Sequence, residues 1–214
     1  MHLHEAVLSG SPQGIGVLCL GGVGALAGTA LGLRAMDHEQ VPRVALVSAV
    51  FFVVSLIHIP LGVTSIHLTL SGLVGLLLGW TAFPALLIAL LLQAVLVGHG
   101  GLLALGVNTL AMALPAVAVY YIFQRMSNGG NRSLNFLAGF GAGSSAILGS
   151  AFLISAALWV SGESFELAAK AVFLFHLAVA VIEGLVVGSA IVLLRQVCPE
   201  RLFLATPQGL QDRR

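Results

Sequence analysis

Seven apolar segments, almost free of charged residues, dominate this sequence of 214 residues. They run over Gly14–Leu33, Val44–Ile57, His67–Trp80, Ala82–Val97, Asn108–Phe123, Leu134–Val160 and Leu167–Leu194. Runs of about 20 apolar residues are typical of helices that cross a bilayer, and the shorter ones can be extended by their flanks, tilted or re-entrant. Only 8% of the residues are charged while 58% are hydrophobic, too few charges to cover a water-soluble domain. The sequence therefore predicts an all-α, polytopic membrane protein with about seven transmembrane helices and no soluble domain.

Other classes of protein are excluded by pattern and charge. An outer-membrane β-barrel would alternate apolar and polar residues in short strands, and this chain does not. The formal net charge of +1, without a basic patch, gives no reason to expect nucleic acid as a partner. The first 13 residues contain Glu5 but no Lys or Arg, so the basic region of a cleaved signal peptide is absent.

The arginines sort the connections into two sides of the membrane. They flank the first and fifth connections and follow the last segment, at Arg34, Arg43, Arg125, Arg132, Arg195, Arg201, Arg213 and Arg214. The positive-inside rule places these positions in the cytoplasm. With seven spans, the N-terminus and residues 1–13 lie outside, together with the loops His58–Ile66, Gly98–Val107 and Ser161–Glu166. We expect residues 196–214 to form the cytoplasmic tail of a single membrane domain, residues 1–214.

The first two residues can chelate a metal ion. Met1 is expected to be retained because His2 is large, which leaves a free α-amine. That amine, the deprotonated amide of His2 and the His2 imidazole place three nitrogens in one plane, and four such nitrogens suit Ni(II) or Cu(II). A second imidazole from the same side would complete the plane. His58, His67 and His99 all lie on the predicted outer side. The residues alone do not decide which of these three histidines supplies the fourth nitrogen.

Several stretches resemble the CbiM/NikM substrate-capture subunits of energy-coupling-factor cobalt and nickel transporters. They are MHLHEA at 1–6, LIHIPLGVTSIHL at 56–68, LLLGWTAFP at 76–84, GGLLALGVNTL at 100–110 and, more loosely, 176–184. The resemblance implies a nickel or cobalt ion as transported substrate, held by the Met1 amine, the His2 amide and imidazole, and the His67 imidazole. It also implies partners in the bilayer and cytoplasm: a membrane coupling (T) subunit and ABC-type ATPases. It places the complex in a prokaryotic plasma (inner) membrane and leaves open whether a small accessory membrane subunit joins it.

Further polar residues can support such a site. His58 is either a loop histidine or a neighbour of the ligands, and Thr64 and Ser65 either orient His67 or cap the third helix. Ser71 stands where relatives often have Asn. His176 and Glu183, seven residues apart, share a helix face and predict a polar seam between helices that Gln93 and Asn108 can join. We expect these four residues to form hydrogen bonds between helices rather than a metal relay.

Competing functions lack their signatures in the sequence. An enzyme would need a catalytic constellation such as His-Glu-x-x-His, which is absent. A stand-alone secondary transporter usually has two matching halves, a signature that this sequence lacks. A membrane scaffold would not need the group of outer histidines. The sequence contains no Walker motif, so energy for uptake must come from partners. Small-residue stripes on the first and sixth helices predict packing grooves and are candidate docking faces for those partners.

Overall fold

The computed structural model describes residue 3 and residues 8–61, 64–127, 131–162 and 165–197. In that part of the chain, seven α-helices, α1 to α7, occur in the order of the seven predicted segments. Their bounds are α1 Pro12–Arg34, α2 Val41–Ser55, α3 Ser71–Leu78, α4 Ala82–Leu92, α5 Leu105–Ser127, α6 Arg132–Ser161 and α7 Glu166–Val197. Short 3-10 turns precede α2 and α4, at His38–Gln40 and Gly79–Thr81, and a π-helical turn, Gln93–Val97, extends α4. The predicted all-α fold class is confirmed.

Two of the helices begin at side-chain caps. The Ser11 hydroxyl oxygen accepts the Gly14 amide hydrogen at 3.0 Å in front of α1. The Asn131 side chain accepts the Ser133 amide hydrogen at 2.9 Å in front of α6. Each bond satisfies an amide that the first turn of a helix leaves without a partner.

The connection between α2 and α3 contains a small β-hairpin. The sequence instead predicts a loop over His58–Ile66, followed directly by the third helix. Strand β1, His58–Leu61, pairs antiparallel with strand β2, Thr64–His67. The prediction that the third helix begins at His67 is wrong, because Leu70 adopts a left-handed conformation (φ 49°) and α3 starts after it at Ser71. The alternative that Thr64 and Ser65 cap this helix is also wrong, because both lie in β2.

Five stretches of the described residues are long and apolar enough to cross a membrane. They are Pro12–Arg34, Ser71–Val97, Leu105–Gln124, Arg132–Ser161 and Glu166–Val197. The second of these contains both α3 and α4. Helix α2, with 15 residues, is about 22 Å long and falls short of an apolar layer of about 30 Å. The exact number of spans and the predicted orientation therefore remain predictions.

Glycines allow the helices to pack closely, as the small-residue stripes predict. A Cβ on Gly143 would lie 2.8 Å from the Glu183 carbonyl oxygen, and one on Gly139 would lie 2.8 Å from the Gly188 Cα. Helices α6 and α7 run antiparallel along this contact, where the Ser144 hydroxyl also donates to the Ala180 carbonyl at 2.8 Å. Because α7 fills the groove of α6, the expectation that this stripe is a free docking face is wrong.

Large apolar side chains cover much of the outside of the helices. On α1, Leu20, Val23 and Leu26 are 67–75% exposed, and Trp159 on α6 is 65% exposed. Such a surface is unsuited to water and suits contact with lipid. With the apolar spans, it supports a multi-pass membrane protein.

Candidate functional site

The predicted metal ligands are only partly within the described residues. Met1 and His2 lie outside them. His67 ends strand β2, and the register of the hairpin places it directly opposite His58. In an antiparallel ladder such partners have Cα atoms about 4.5–5.5 Å apart. The fold thus brings His58 beside the predicted ligand position, although eight residues lie between them in the chain.

The other predicted neighbours of the ligands lie in the same hairpin or at the start of the helix that follows it. Thr64 pairs with Leu61, and Ser65 pairs with Pro60, so both lie within four residues of His67 in β2. Ser71 is fully buried at the start of α3. Its hydroxyl lies 3.2 Å from the Thr69 hydroxyl, and its amide donates to the Thr69 hydroxyl oxygen at 3.4 Å. Hydrogen bonds to Thr69 therefore link Ser71 to the segment that follows His67.

The segment after His67 is fixed to the bundle by Glu183 of α7. This carboxylate is completely buried, and it accepts the Thr69 amide hydrogen. It also accepts the Thr69 hydroxyl at 2.9 Å and the Leu70 amide hydrogen at 3.0 Å. Three donors from two adjacent residues satisfy a group that would otherwise be costly to bury. The backbone is thereby held two residues beyond the predicted ligand.

The N-terminal segment is fixed to the bundle by Asn108 of α5. The Leu3 amide donates to the Asn108 Oδ1 at 2.9 Å, and the Asn108 Nδ2 donates to the Leu3 carbonyl at 3.1 Å. Leu3 and Leu8 are buried in a cluster with residues of α5 to α7. Farther along, the Ser11 hydroxyl donates to the Ser161 carbonyl at 2.8 Å. The backbone is thereby held one residue beyond His2.

The residues of the predicted polar seam make hydrogen bonds, but most of their partners do not lie on adjacent helices. His176 Nδ1 lies 2.6 Å from the Val172 carbonyl oxygen of its own helix, whereas Glu183 bonds to the hairpin junction. Gln93 donates to the Ser55 hydroxyl of α2. The expected hydrogen bond between helices is therefore confirmed for Gln93. It is wrong for the other three residues, because Glu183 and Asn108 bond to segments outside the helices and the His176 partner lies within α7.

No three His, Cys, Asp or Glu side chains meet as a metal cluster among the described residues. That finding does not apply to the predicted site, because Met1 and His2 lie outside the described residues. The anchoring roles of Asn108 and Glu183 were not predictable from the sequence. Their only signal was that polar residues inside apolar segments need hydrogen-bond partners.

Comparison with known proteins gives consistent results for sequence and fold. Residues 2–201 match a family described as CbiM, cobalt uptake substrate-specific transmembrane region. A Haemophilus influenzae protein named for metal transport is 40% identical over 202 residues, which cover 94% of this chain and 96% of that protein. The fused nickel transport protein NikMN of Rhodobacter capsulatus is 39% identical over 112 residues, or 50% of this chain and 32% of that protein. The crystal structure of a truncated transition metal transporter has the same fold, with a TM-score of 0.71 and 24% identity over 92% of this chain and 99% of that one.

Proposed function

Because the chain belongs to the CbiM family of cobalt uptake substrate-specific transmembrane proteins, we propose that it captures Ni(II) or Co(II) as the substrate-binding subunit of an energy-coupling-factor importer. The family match over residues 2–201 carries this proposal. The whole chain, residues 1–214, serves as one capture unit in the membrane. A membrane coupling subunit and cytoplasmic ABC-type ATPases supply the energy.

The proposed ligands are four nitrogens in one plane. The Met1 amine, the His2 amide and the His2 imidazole close two chelate rings, and the His67 imidazole occupies the fourth position. Square-planar nitrogen coordination favours Ni(II), whereas the family description names cobalt, so both ions are candidate substrates. His58, the register partner of His67, and Thr64, Ser65 and Ser71 are the proposed residues around the ligands.

The anchored backbone on either side of the ligands supports this assignment. Leu3 follows His2 directly and is bonded to Asn108, while Thr69 lies two residues after His67 and is bonded to Glu183. Metal sites gain affinity when the polypeptide is ordered before the ion arrives, because less entropy is lost on binding. Both chain segments that carry proposed ligands have such support.

Metal binding to the full chain, purified in detergent with Met1 unblocked, tests the proposal. We expect one Ni(II) or Co(II) per chain, and loss of binding in His67→Ala and in a chain with one extra residue before Met1. The extension changes no side chain but moves the amine out of its chelate ring. His38→Ala is the matched control, because His38 is exposed in the short turn before α2 and should leave binding unchanged.

Two results would contradict the proposal. Binding that survives in the extended chain would exclude the amine as a ligand. Equal losses in His38→Ala and His67→Ala would indicate nonspecific binding by histidines.

A further inference from the structure

The side-chain amide of Asn108 binds both polar groups of one backbone residue, Leu3. The two hydrogen bonds are 2.9 Å and 3.1 Å long, and Asn108 is only 2% exposed in the first turn of α5. A single hydrogen bond would leave the peptide free to rotate about that bond. Two bonds of opposite direction fix both the position and the orientation of the backbone at residue 3.

Burial of apolar side chains alone would not fix the position and orientation of the N-terminal backbone. The side chains of Leu3 and Leu8 pack with Val107, Ile154 and Leu158, which holds the segment against the bundle. The hydrophobic effect is non-directional, however, so it leaves the orientation of the peptide groups and small displacements of the backbone undefined. The Asn108 amide bonds to both peptide groups of Leu3 and thereby fixes the position and orientation of the backbone at this point.

We propose that Asn108 is a positioning residue that sets the reach of the metal-binding N-terminal segment. The inference rests on the proposed function, in which Met1 and His2 supply three of the four nitrogens. Only two residues separate the Met1 amine from the anchored Leu3, a reach of at most about 7 Å in extended chain. With residue 3 fixed, the amine, amide and imidazole meet His67 with little further ordering. Without this anchor, the segment must be ordered by the metal itself, and affinity falls.

The experiment compares Ni(II) affinity in the full chain, with Met1 unblocked, and in two matched variants. Asn108→Ala is expected to weaken binding by about 10- to 100-fold, the usual effect of removing a residue that supports metal ligands. Asn135→Ala is the control. Asn135 is also a buried asparagine near the start of a helix, and its Oδ1 has no hydrogen-bond partner within the described residues. It lies at the opposite end of the bundle from Asn108, because α6 runs antiparallel to α5, with Gly141 beside Phe123 and Gly149 beside Pro115.

A spectroscopic readout separates positioning from general stability. Square-planar Ni(II) is diamagnetic, whereas Ni(II) held by fewer protein nitrogens and by water is paramagnetic. We expect Asn108→Ala to shift bound Ni(II) toward the paramagnetic form, while Asn135→Ala leaves the spin state unchanged. If Asn108→Ala does not fold, Asn108→Ser carries the same expectation, because its side chain is too short to reach both backbone groups of Leu3.

The outcomes distinguish the inference from the function on which it rests. Absence of metal binding in the unaltered chain would overturn both. Normal binding there, together with an affinity within twofold in Asn108→Ala or Asn108→Ser, would overturn the positioning role alone. Equal losses in the Asn108 and Asn135 variants would also overturn it.

Discussion

The Glu183 carboxylate binds the Thr69 amide and hydroxyl across 114 positions of the sequence. This contact joins the middle of α7 to the junction between strand β2 and helix α3. The next residue, Leu70, donates its amide to the same carboxylate while it adopts a left-handed conformation. Such a conformation is uncommon for a residue with a side chain, and here it occurs at the point where the chain enters α3.

Replacement of Glu183 should therefore reduce both stability and metal affinity. In Glu183→Ala the Thr69 and Leu70 donors would be left buried without their acceptor, at a cost of about 1–3 kcal/mol for each unsatisfied group. Glu183→Gln should also be harmful, because its amide nitrogen would face amide donors. We expect a lower unfolding temperature in detergent and weaker Ni(II) binding in both variants.

Glu166→Gln is the control for the Glu183 variants. Glu166 forms an exposed ion pair with Lys170 one helical turn away, and such pairs contribute little to stability. Its unfolding temperature and Ni(II) affinity should match those of the unaltered chain. If Glu183→Ala behaved like Glu166→Gln, the anchoring role of Glu183 would be wrong.

Substitution of Gly75 by alanine should destabilise the bundle strongly. A Cβ at this position would lie 2.0 Å from the Ala116 carbonyl oxygen, so α3 and α5 would have to move apart. At Gly16 the added Cβ would have no atom of the other described residues within 4 Å, apart from the backbone of its own helix. Gly16→Ala should therefore be neutral or stabilising, because alanine favours helix by up to about 1 kcal/mol. Thermal unfolding of the two variants in the same detergent measures the contrast. Similar unfolding temperatures would show that the α3–α5 contact is looser than the structure indicates.

The apolar pattern was sufficient to predict the seven helices, whereas the ends of α3 depended on contacts remote in sequence. Two of the four residues at 67–70 are leucines, so the apolar run continues through them and did not mark where the helix begins. Their path depends on Glu183, which lies more than 100 residues away. Similarly, the position of Asn108 in an apolar segment indicated a need for a partner. It did not indicate that the partner is the Leu3 backbone, 105 residues earlier.

The predicted orientation can be tested by labelling introduced cysteines. Asn131 caps α6 and lies beside Arg132, whereas Glu163 belongs to the predicted outer connection between α6 and α7. In a background without Cys19 and Cys198, Asn131→Cys should react with a membrane-impermeant reagent only after the membrane is opened. Glu163→Cys should react in intact cells. Labelling of both positions from the same side would contradict the topology.

Metal affinity should decrease steeply as pH falls from about 8 to about 5. The α-amine has a reference pKa of about 7.7–8.0 and each imidazole about 6.5, and all must be unprotonated to bind. Protons therefore compete with the metal at several nitrogens, and affinity should fall by more than about tenfold per pH unit through part of this range. A site made of carboxylates would change little, because Asp and Glu titrate near pH 4. Ni(II) titrations of the full chain at several pH values measure the slope, and unfolding temperatures of the metal-free chain serve as the control for folding. A flat profile between pH 8 and pH 6 would refute the four-nitrogen site.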